Sequence, residues 1–215
     1  MNIRIAVASA TALLTLAAAT AGHASATSGS LWINDPNSGD ASIVPAGPAD
    51  ATFSPGDINY QSQVGGYTVG GFLNNPTFSN ESAAFIAAGA GAADLDNTFI
   101  QITGTLGLNA GNNSFVVAHD DGVVLNVASF GNVVDEPGPT GEVLTPFNVF
   151  NPGPAGNFAF TLNYTECCGP PADLIFTVNN VSPGVPEPAT WSLMLLGVGG
   201  IGGILRRKSR QLAAA

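Results

Sequence analysis

Positive charge is almost absent from the body of this chain. Of the five Lys and Arg residues among 215, one is Arg4 and four lie within 206–210, so residues 27–205 contain neither type. All fifteen Asp and Glu residues fall in that interval. Nucleic-acid binding needs basic side chains that displace phosphate counterions, and phosphoryl transfer commonly uses an Arg or Lys clamp. We therefore expect no nucleic-acid partner. An acidic surface suits divalent cations and sugars, and solubility alone is the alternative.

Cysteine and histidine are scarce as well. The two cysteines are adjacent, Cys167 and Cys168, and no C-x-x-C is present, so neither a thioredoxin-like site nor a zinc site is expected. The sequence leaves two alternatives open for these cysteines: a disulfide between neighbours, or two thiols that are free or paired between molecules. We predict a structural role for both cysteines. His119 is the only histidine after the first 26 residues, and no G-x-S-x-G occurs, so we expect no enzyme of the serine-hydrolase type.

The first 26 residues are typical of a secretory signal peptide. Arg4 supplies the positive charge, an apolar run follows from Ile5 to about Ala18, and Ala24-Ser25-Ala26 forms a small-x-small cleavage site. Ala19-Thr20-Ala21 is a second candidate site. This segment predicts export into an oxidising compartment.

The part that follows predicts an all-β fold, an antiparallel β-sandwich over 27–182. Short segments rich in β-branched and aromatic residues are separated by Gly, Pro, Asn and Asp, which favours a sandwich over βαβ units. We predict edge strands or docked loops at the short apolar segments 31–33 and 43–44. A strand with a Gly-Gly irregularity is predicted at 67–73, and a short helix at 82–93. The clearest predicted strands lie at 98–108, 113–121, 122–130, 145–150, 156–166 and 172–180.

The C-terminal end predicts a single membrane-spanning segment. A Pro/Gly linker at 183–188 leads into an apolar run at 189–205, and 206–215 is a basic tail. The run is at the short end of what a spanning helix needs. The basic cluster predicts a cytoplasmic C-terminus and an exported domain, and a permanent anchor is the alternative to a temporary one.

The same end carries an ordered combination of features: a Pro-Glu-Pro, a tryptophan, a Gly-containing apolar run and a basic end. The residues concerned are Pro186, Glu187, Pro188, Trp191, Arg206, Arg207 and Lys208. This combination resembles the PEP-CTERM sorting signal. The resemblance implies recognition by the membrane protease-transpeptidase exosortase in a Gram-negative bacterium, with cleavage near the Pro-Glu-Pro. It also implies a transient stay in the inner membrane, then delivery to the cell surface, outer envelope or extracellular matrix.

Two apolar segments flank His119-Asp120-Asp121-Gly122 in the middle of the chain. Asp-Gly between alternating apolar runs is a strong hairpin signal, so one interpretation is a hairpin turn. In the other, the adjacent carboxylates of Asp120 and Asp121 offer oxygen ligands to Ca²⁺, which would relieve their mutual repulsion.

Residues 98–180 also resemble lectin-like β-sandwiches of the anthrax protective-antigen type. The resemblance rests on the Asp-Asp-Gly between apolar strands and on the later pattern Gly156-Asn-Phe-Ala-Phe-Thr-Leu-Asn-Tyr-Thr-Glu166. It implies Asp120 and Asp121 as ligands of a Ca²⁺ that bridges sugar hydroxyls. We therefore expect a non-enzymatic module that binds extracellular polysaccharide. A secreted carboxylate-dependent glycoside hydrolase and a purely structural matrix protein are the alternatives.

Overall fold

Eleven strands in two antiparallel sheets make up most of the part of the chain that the computed structural model describes, residues 27–62, 66–73, 79–80 and 89–183. All of these residues fall within one compact unit, His23–Pro188. In chain order the strands are β1 Ser28–Ile33, β2 Ala51–Pro55, β3 Asn59–Gln61, β4 Ser79–Asn80, β5 Thr98–Leu108, β6 Gly111–Asp120, β7 Val123–Val127, β8 Gly131–Glu136, β9 Val143–Asn151, β10 Gly156–Glu166 and β11 Asp173–Val178.

The sheets have seven and four strands. The larger runs β4-β2-β1-β5-β10-β7-β8 and the smaller β3-β11-β6-β9, with every pairing antiparallel. β5 and β10 pair over their whole length, from Thr98 opposite Glu166 to Leu108 opposite Gly156. The predicted all-β antiparallel architecture is confirmed, and both of these strands have the predicted bounds.

Aromatic side chains of the two sheets pack against each other to form the core. Phe160 on β10 meets Phe176 on β11 edge to face, with ring centroids 5.6 Å apart. Phe72 packs between Tyr60 on β3 and Tyr164 on β10, at 5.6 and 5.7 Å. Because such large rings lose most of their contact with water, they account for much of the stabilisation of a sandwich this size.

A short helix, α1 Val69–Leu73, replaces the strand predicted at 67–73. That prediction is wrong because the Thr68 side chain caps the helix: its Oγ1 accepts from the Gly71 amide at 3.0 Å. Val69, Phe72 and Leu73 are buried at helical spacing. A 3₁₀ turn at Ala90–Ala92 packs close by, and the rest of the helix predicted at 82–93 lies mainly outside the described residues.

The hairpin predicted at 119–122 is also wrong. β6 ends at Asp120 and pairs with β9 and β11, whereas β7 begins at Val123 and pairs with β8 and β10. The two apolar segments therefore belong to different sheets, and Asp121 and Gly122 form the corner between them. Local sequence favoured pairing between neighbours, but burying both apolar segments in one core requires them to separate.

No helix long and apolar enough to cross a membrane is found among the residues that the structure describes. The predicted signal peptide at 1–26, the predicted span at 189–205 and the tail at 206–215 lie outside them.

Candidate functional site

The corner between the sheets holds two adjacent aspartates at the end of β6. The peptide bond between Asp120 and Asp121 is cis. Gly122 follows, and a Cβ at this position would lie 2.2 Å from the Pro137 carbonyl oxygen and 2.8 Å from Oγ1 of Thr165. Only glycine therefore allows the chain after β8 and the end of β10 to approach the corner this closely.

Asp121 is held by backbone amides from two loops. Its Oδ1 accepts from the Thr140 amide at 3.1 Å, and its Oδ2 accepts from the Cys167 amide at 3.0 Å. These loops follow β8 and β10. Two charge-assisted bonds fix the orientation of the carboxylate without a basic side chain.

Three carboxyl groups converge beneath the corner. One oxygen from each of Asp120, Asp121 and Glu166 lies within 4.8 Å of the others, and the three residues are 5%, 4% and 0% exposed. Since residues 27–205 contain no Lys or Arg, neither type of basic side chain compensates this charge. Burial without such compensation disfavours the ionised form of a carboxyl group, and a bound cation would favour it.

Burial makes Glu166 a carboxyl group that favours its protonated form. Its Oε1 lies 2.9 Å from the Tyr67 hydroxyl, which also lies 2.7 Å from Oδ1 of Asp96. Its Oε2 lies 2.8 Å from the Tyr164 hydroxyl, which also contacts the carbonyl of Asp120. The two phenols make four contacts with oxygen atoms but have only two protons to donate. A proton on Glu166 would supply a donor for a third contact. Burial, opposed by the bonds from Tyr164 and Tyr67, raises the pKa of Glu166 to about 8.

The carboxyl of Asp120 is also harder to ionise than usual. Burial is the largest cause, Asp121 and Glu142 add repulsion, and His119 partly offsets both, so that the pKa of Asp120 is raised to about 6. Asp173 lies opposite Asp120 in the β6–β11 register, and burial together with Glu142 and Asp120 raises its pKa to about 6 as well. A divalent cation would remove this repulsion, because it stabilises the ionised form of every carboxylate around it.

His119 is fully buried and uses both ring nitrogens. Nδ1 contacts the main-chain carbonyl of Asp121, and Nε2 lies 2.9 Å from Oε2 of Glu136. Both ring nitrogens are therefore engaged by oxygen atoms of the protein. Neither nitrogen is free to act as the base for a nucleophilic serine.

A pocket of about 390 Å³ opens at the corner. The aspartates Asp120 and Asp121 line it together with Cys168, Pro170 and Pro171 from the loop after β10. The volume falls in the range of about 300–1,000 Å³ that is typical of small-molecule sites.

Cys167 and Cys168 form a disulfide with each other, which settles the alternatives that the sequence left open. The bridge lies directly after β10, and Sγ of Cys167 is 3.2 Å from Oδ2 of Asp121. The two cysteines therefore belong to the same site as the aspartate pair.

The structure thus brings together Asp120, Asp121, Cys167 and Cys168, four of the residues that the sequence singled out. It adds Glu166, Glu142 and Asp173, which sequence reasoning missed as part of the site. Glu166 stood at the end of a recognised strand pattern, but only the fold shows that this end meets the corner. The predicted sorting residues Pro186, Glu187, Pro188, Trp191, Arg206, Arg207 and Lys208 lie outside the described residues.

The C-terminal end matches a family model. Residues 184–210 match the PEP-CTERM protein-sorting motif, which confirms the sorting signal recognised in the sequence and indicates export through the membrane to the cell surface. No curated protein sequence matches the chain.

Several solved structures resemble the domain. A PA14 sugar-binding domain from an RTX adhesin is 24% identical, with a TM-score of 0.48, and the match covers 71% of this chain and 88% of that one. The PA14 domain of the MpAFP antifreeze protein is 18% identical, with a TM-score of 0.49 and coverage of 76% and 88%. The Epithelial Adhesin 9 A domain from Candida glabrata, in complex with Galb1-4GlcNAc, is 11% identical, with a TM-score of 0.40 and coverage of 77% and 86%. PA14 domains are the lectin-like β-sandwich type that the sequence resembled.

Proposed function

We propose that this chain is an exported, non-enzymatic carbohydrate-binding module that associates with extracellular polysaccharide through a Ca²⁺ held by Asp120 and Asp121. After export, exosortase processes the C-terminal segment and leaves the domain at the cell surface, in the outer envelope or in the matrix of a Gram-negative bacterium. The membrane contact is transient in this scheme.

One observation carries the proposal: a pair of adjacent, buried carboxylates lines a pocket in a domain that has no Lys or Arg. Ca²⁺ takes six to eight oxygen ligands at about 2.3–2.6 Å. The two aspartates supply only part of such a set. Coordination positions that face the pocket would be open to the vicinal hydroxyls of a sugar.

The alternative of a carboxylate-dependent glycosidase finds less support. Such an enzyme needs a carboxylic acid of raised pKa within reach of the scissile oxygen. Asp120 and Glu166 both have a raised pKa. Glu166 is fully buried, is absent from the pocket lining, and has both oxygens facing tyrosine hydroxyls, so a substrate in the pocket has no access to this acid. Asp120 lines the pocket. However, the neighbouring carboxylate of Asp121 already accepts from the Thr140 and Cys167 amides, which leaves it poorly placed as the second carboxylate of the reaction.

The test is calorimetric titration of the full-length protein with Ca²⁺ at pH 7.5, followed by binding of bacterial exopolysaccharide in Ca²⁺ or EDTA. We expect Ca²⁺ at 100 times its Kd to stabilise the domain by about 2.7 kcal/mol, and EDTA to abolish polysaccharide binding. Asp120→Asn and Asp121→Asn should lose both effects. Asp135→Asn, which removes an exposed carboxylate on β8, is the matched control and should retain them.

Two results would count against the proposal. An unchanged melting temperature in excess Ca²⁺ would overturn the cation site. Release of new reducing ends from the polysaccharide, lost in Glu166→Gln, would favour the hydrolase.

A further inference from the structure

The pocket beside the aspartates is lined by two chemically different sets of groups. Among the lining residues, Asp120, Asp121 and Thr140 carry polar side chains, whereas Cys168, Pro170 and Pro171 carry a disulfide sulfur and proline rings. The last three are exposed to solvent. The same small cavity therefore offers a strongly polar surface and an apolar one.

The side chains of the apolar set donate no hydrogen bonds. The disulfide removes both thiol protons, and Pro170 and Pro171 have no amide proton. The Gly169 amide between them is already used, because it donates to Oδ1 of Asp96 at 2.9 Å. The surface formed by Cys168, Pro170 and Pro171, called the disulfide–proline surface below, gains little from contact with water but much from close contact with C–H groups.

The two sets are fixed to each other at one point. Oδ2 of Asp121 accepts from the Cys167 amide at 3.0 Å and lies 3.2 Å from Sγ of Cys167. The carboxylate and the disulfide ring thus hold a constant spacing, as a preorganised site requires. A ligand that uses one surface meets the other at a set distance.

Stability does not account well for this disulfide. A disulfide stabilises a fold mainly by shortening the loop that it closes in the unfolded chain, and the effect grows with loop length. Cys167 and Cys168 are neighbours, so the loop is the shortest possible. The exposure of Cys168 at the pocket points instead to a role in contact with a ligand.

From this arrangement we infer that the disulfide–proline surface is a platform for the C–H face of a pyranose ring whose hydroxyl edge points to Asp120 and Asp121. A ring sugar has both surfaces that the pocket offers. An open-chain polyol carries C–H groups but no fixed apolar face, and a bare cation has neither. The inference rests on the proposed function, since it takes the site to bind sugar, and it adds that the site selects rings through the disulfide–proline surface.

The experiment compares methyl α-pyranosides of glucose, mannose, galactose and fucose with sorbitol, an open-chain polyol, as ligands of the full-length protein in Ca²⁺. At least one pyranoside should bind and sorbitol should bind about fivefold or more weakly. Cys167→Ser/Cys168→Ser and, separately, Pro170→Ser should weaken the pyranoside by about fivefold and leave sorbitol unchanged. Pro146→Ser, at an exposed proline on β9 outside the pocket, is the matched control.

Calorimetry with Ca²⁺ alone, on the same samples, separates the two proposals. If the wild-type protein binds no Ca²⁺, the proposed cation site fails, and the pyranoside comparison without Ca²⁺ still tests the platform. If Ca²⁺ binds but no pyranoside does, or if both variants bind the pyranoside like wild type, the platform is wrong. Pro170→Ser leaves both Cys167 atoms that contact Asp121 in the chain. A wild-type Ca²⁺ affinity in this variant, together with weaker pyranoside binding, excludes a displaced carboxylate as the cause.

Discussion

The Tyr164 hydroxyl lies 2.8 Å from Oε2 of Glu166 and also contacts the main-chain carbonyl of Asp120. Residues two apart on a strand share a face, so β10 itself places the phenol and the carboxyl together beneath the corner. The phenol can serve only one acceptor. This contact therefore links the protonation of a core carboxyl to the position of the aspartate pair.

The stability of the cation-free protein should fall as the pH rises. Burial raises the pKa of Glu166 from its ordinary value of 4.5 to about 8. Between these values the folded chain keeps a proton that the unfolded chain releases, so the free energy of unfolding declines by up to about 1.4 kcal/mol per pH unit. Urea unfolding in EDTA at pH 5, 6, 7 and 8 measures this. Glu166→Gln should flatten the profile between pH 6 and 8, above the raised pKa of about 6 of Asp120 and Asp173, and Asp135→Asn should retain it; an equally steep decline over that range in Glu166→Gln would contradict the assignment.

Ca²⁺ affinity should rise with pH over a lower range. The pKa of Asp120 is raised to about 6, and only the ionised carboxylate is a ligand. Below pH 6 each Ca²⁺ must displace this proton, which lowers the affinity about tenfold per pH unit; above pH 6 this proton no longer competes. Calorimetric titrations at pH 5, 6, 7 and 8 give the profile. A constant affinity between pH 5 and 6 would show that Asp120 is not a ligand.

The long strands rich in apolar residues could be predicted, and several short strands could not. β10 alternates clearly and β5 is less regular, and both were predicted with their full bounds. β8 was missed because Val134 is its only buried side chain. β2 and β3 were missed as well: both are short and lie in a stretch rich in Pro, Gly and Asp. Segments this short give almost no periodic signal in sequence.

The residues of the site could be predicted only where they are neighbours in sequence. Asp120 with Asp121, and Cys167 with Cys168, are visible as pairs. The hydrogen bond from the Cys167 amide to Asp121 joins residues 46 positions apart in sequence. Only the packing of the folded chain brings these two residues together. Asp173 joins the group through the β6–β11 register, which no local pattern specifies.

The sorting motif should direct removal of the C-terminal segment. In a host with an exosortase, a chain bearing an epitope after Ala215 should lose the epitope and gain a new C-terminus near Pro186-Glu187-Pro188, as intact-mass measurement would show. Substitution of all three motif residues by alanine should keep the epitope. Pro183→Ala lies just outside the matched residues 184–210 and should be processed normally. Loss of the epitope from the triple variant would show that the Pro-Glu-Pro motif is not required for processing.

Removal of the disulfide should cost little stability. Because Cys167 and Cys168 are adjacent, chain-entropy arguments give a loss of only about 1 kcal/mol for Cys167→Ser/Cys168→Ser. Urea unfolding in EDTA compares this variant with wild-type protein, with and without a phosphine reductant. The reductant should lower wild-type stability by a similar amount and leave the variant unchanged. A loss of several kcal/mol would mean that the bridge is mainly a structural element.

A side chain at Gly122 should disrupt the corner. The added Cβ of Gly122→Ala would lie 2.2 Å from the backbone oxygen of Pro137. Backbone cannot move aside as a flexible side chain can, so the free energy of unfolding should fall by about 3 kcal/mol, and Ca²⁺ affinity should fall because Asp121 is displaced. Gly138→Ala is the matched control, since nothing lies within 4 Å of its Cβ, and it should behave like wild type. Urea unfolding and calorimetry measure both, and wild-type stability in Gly122→Ala would show that the chain after β8 does not hold the corner.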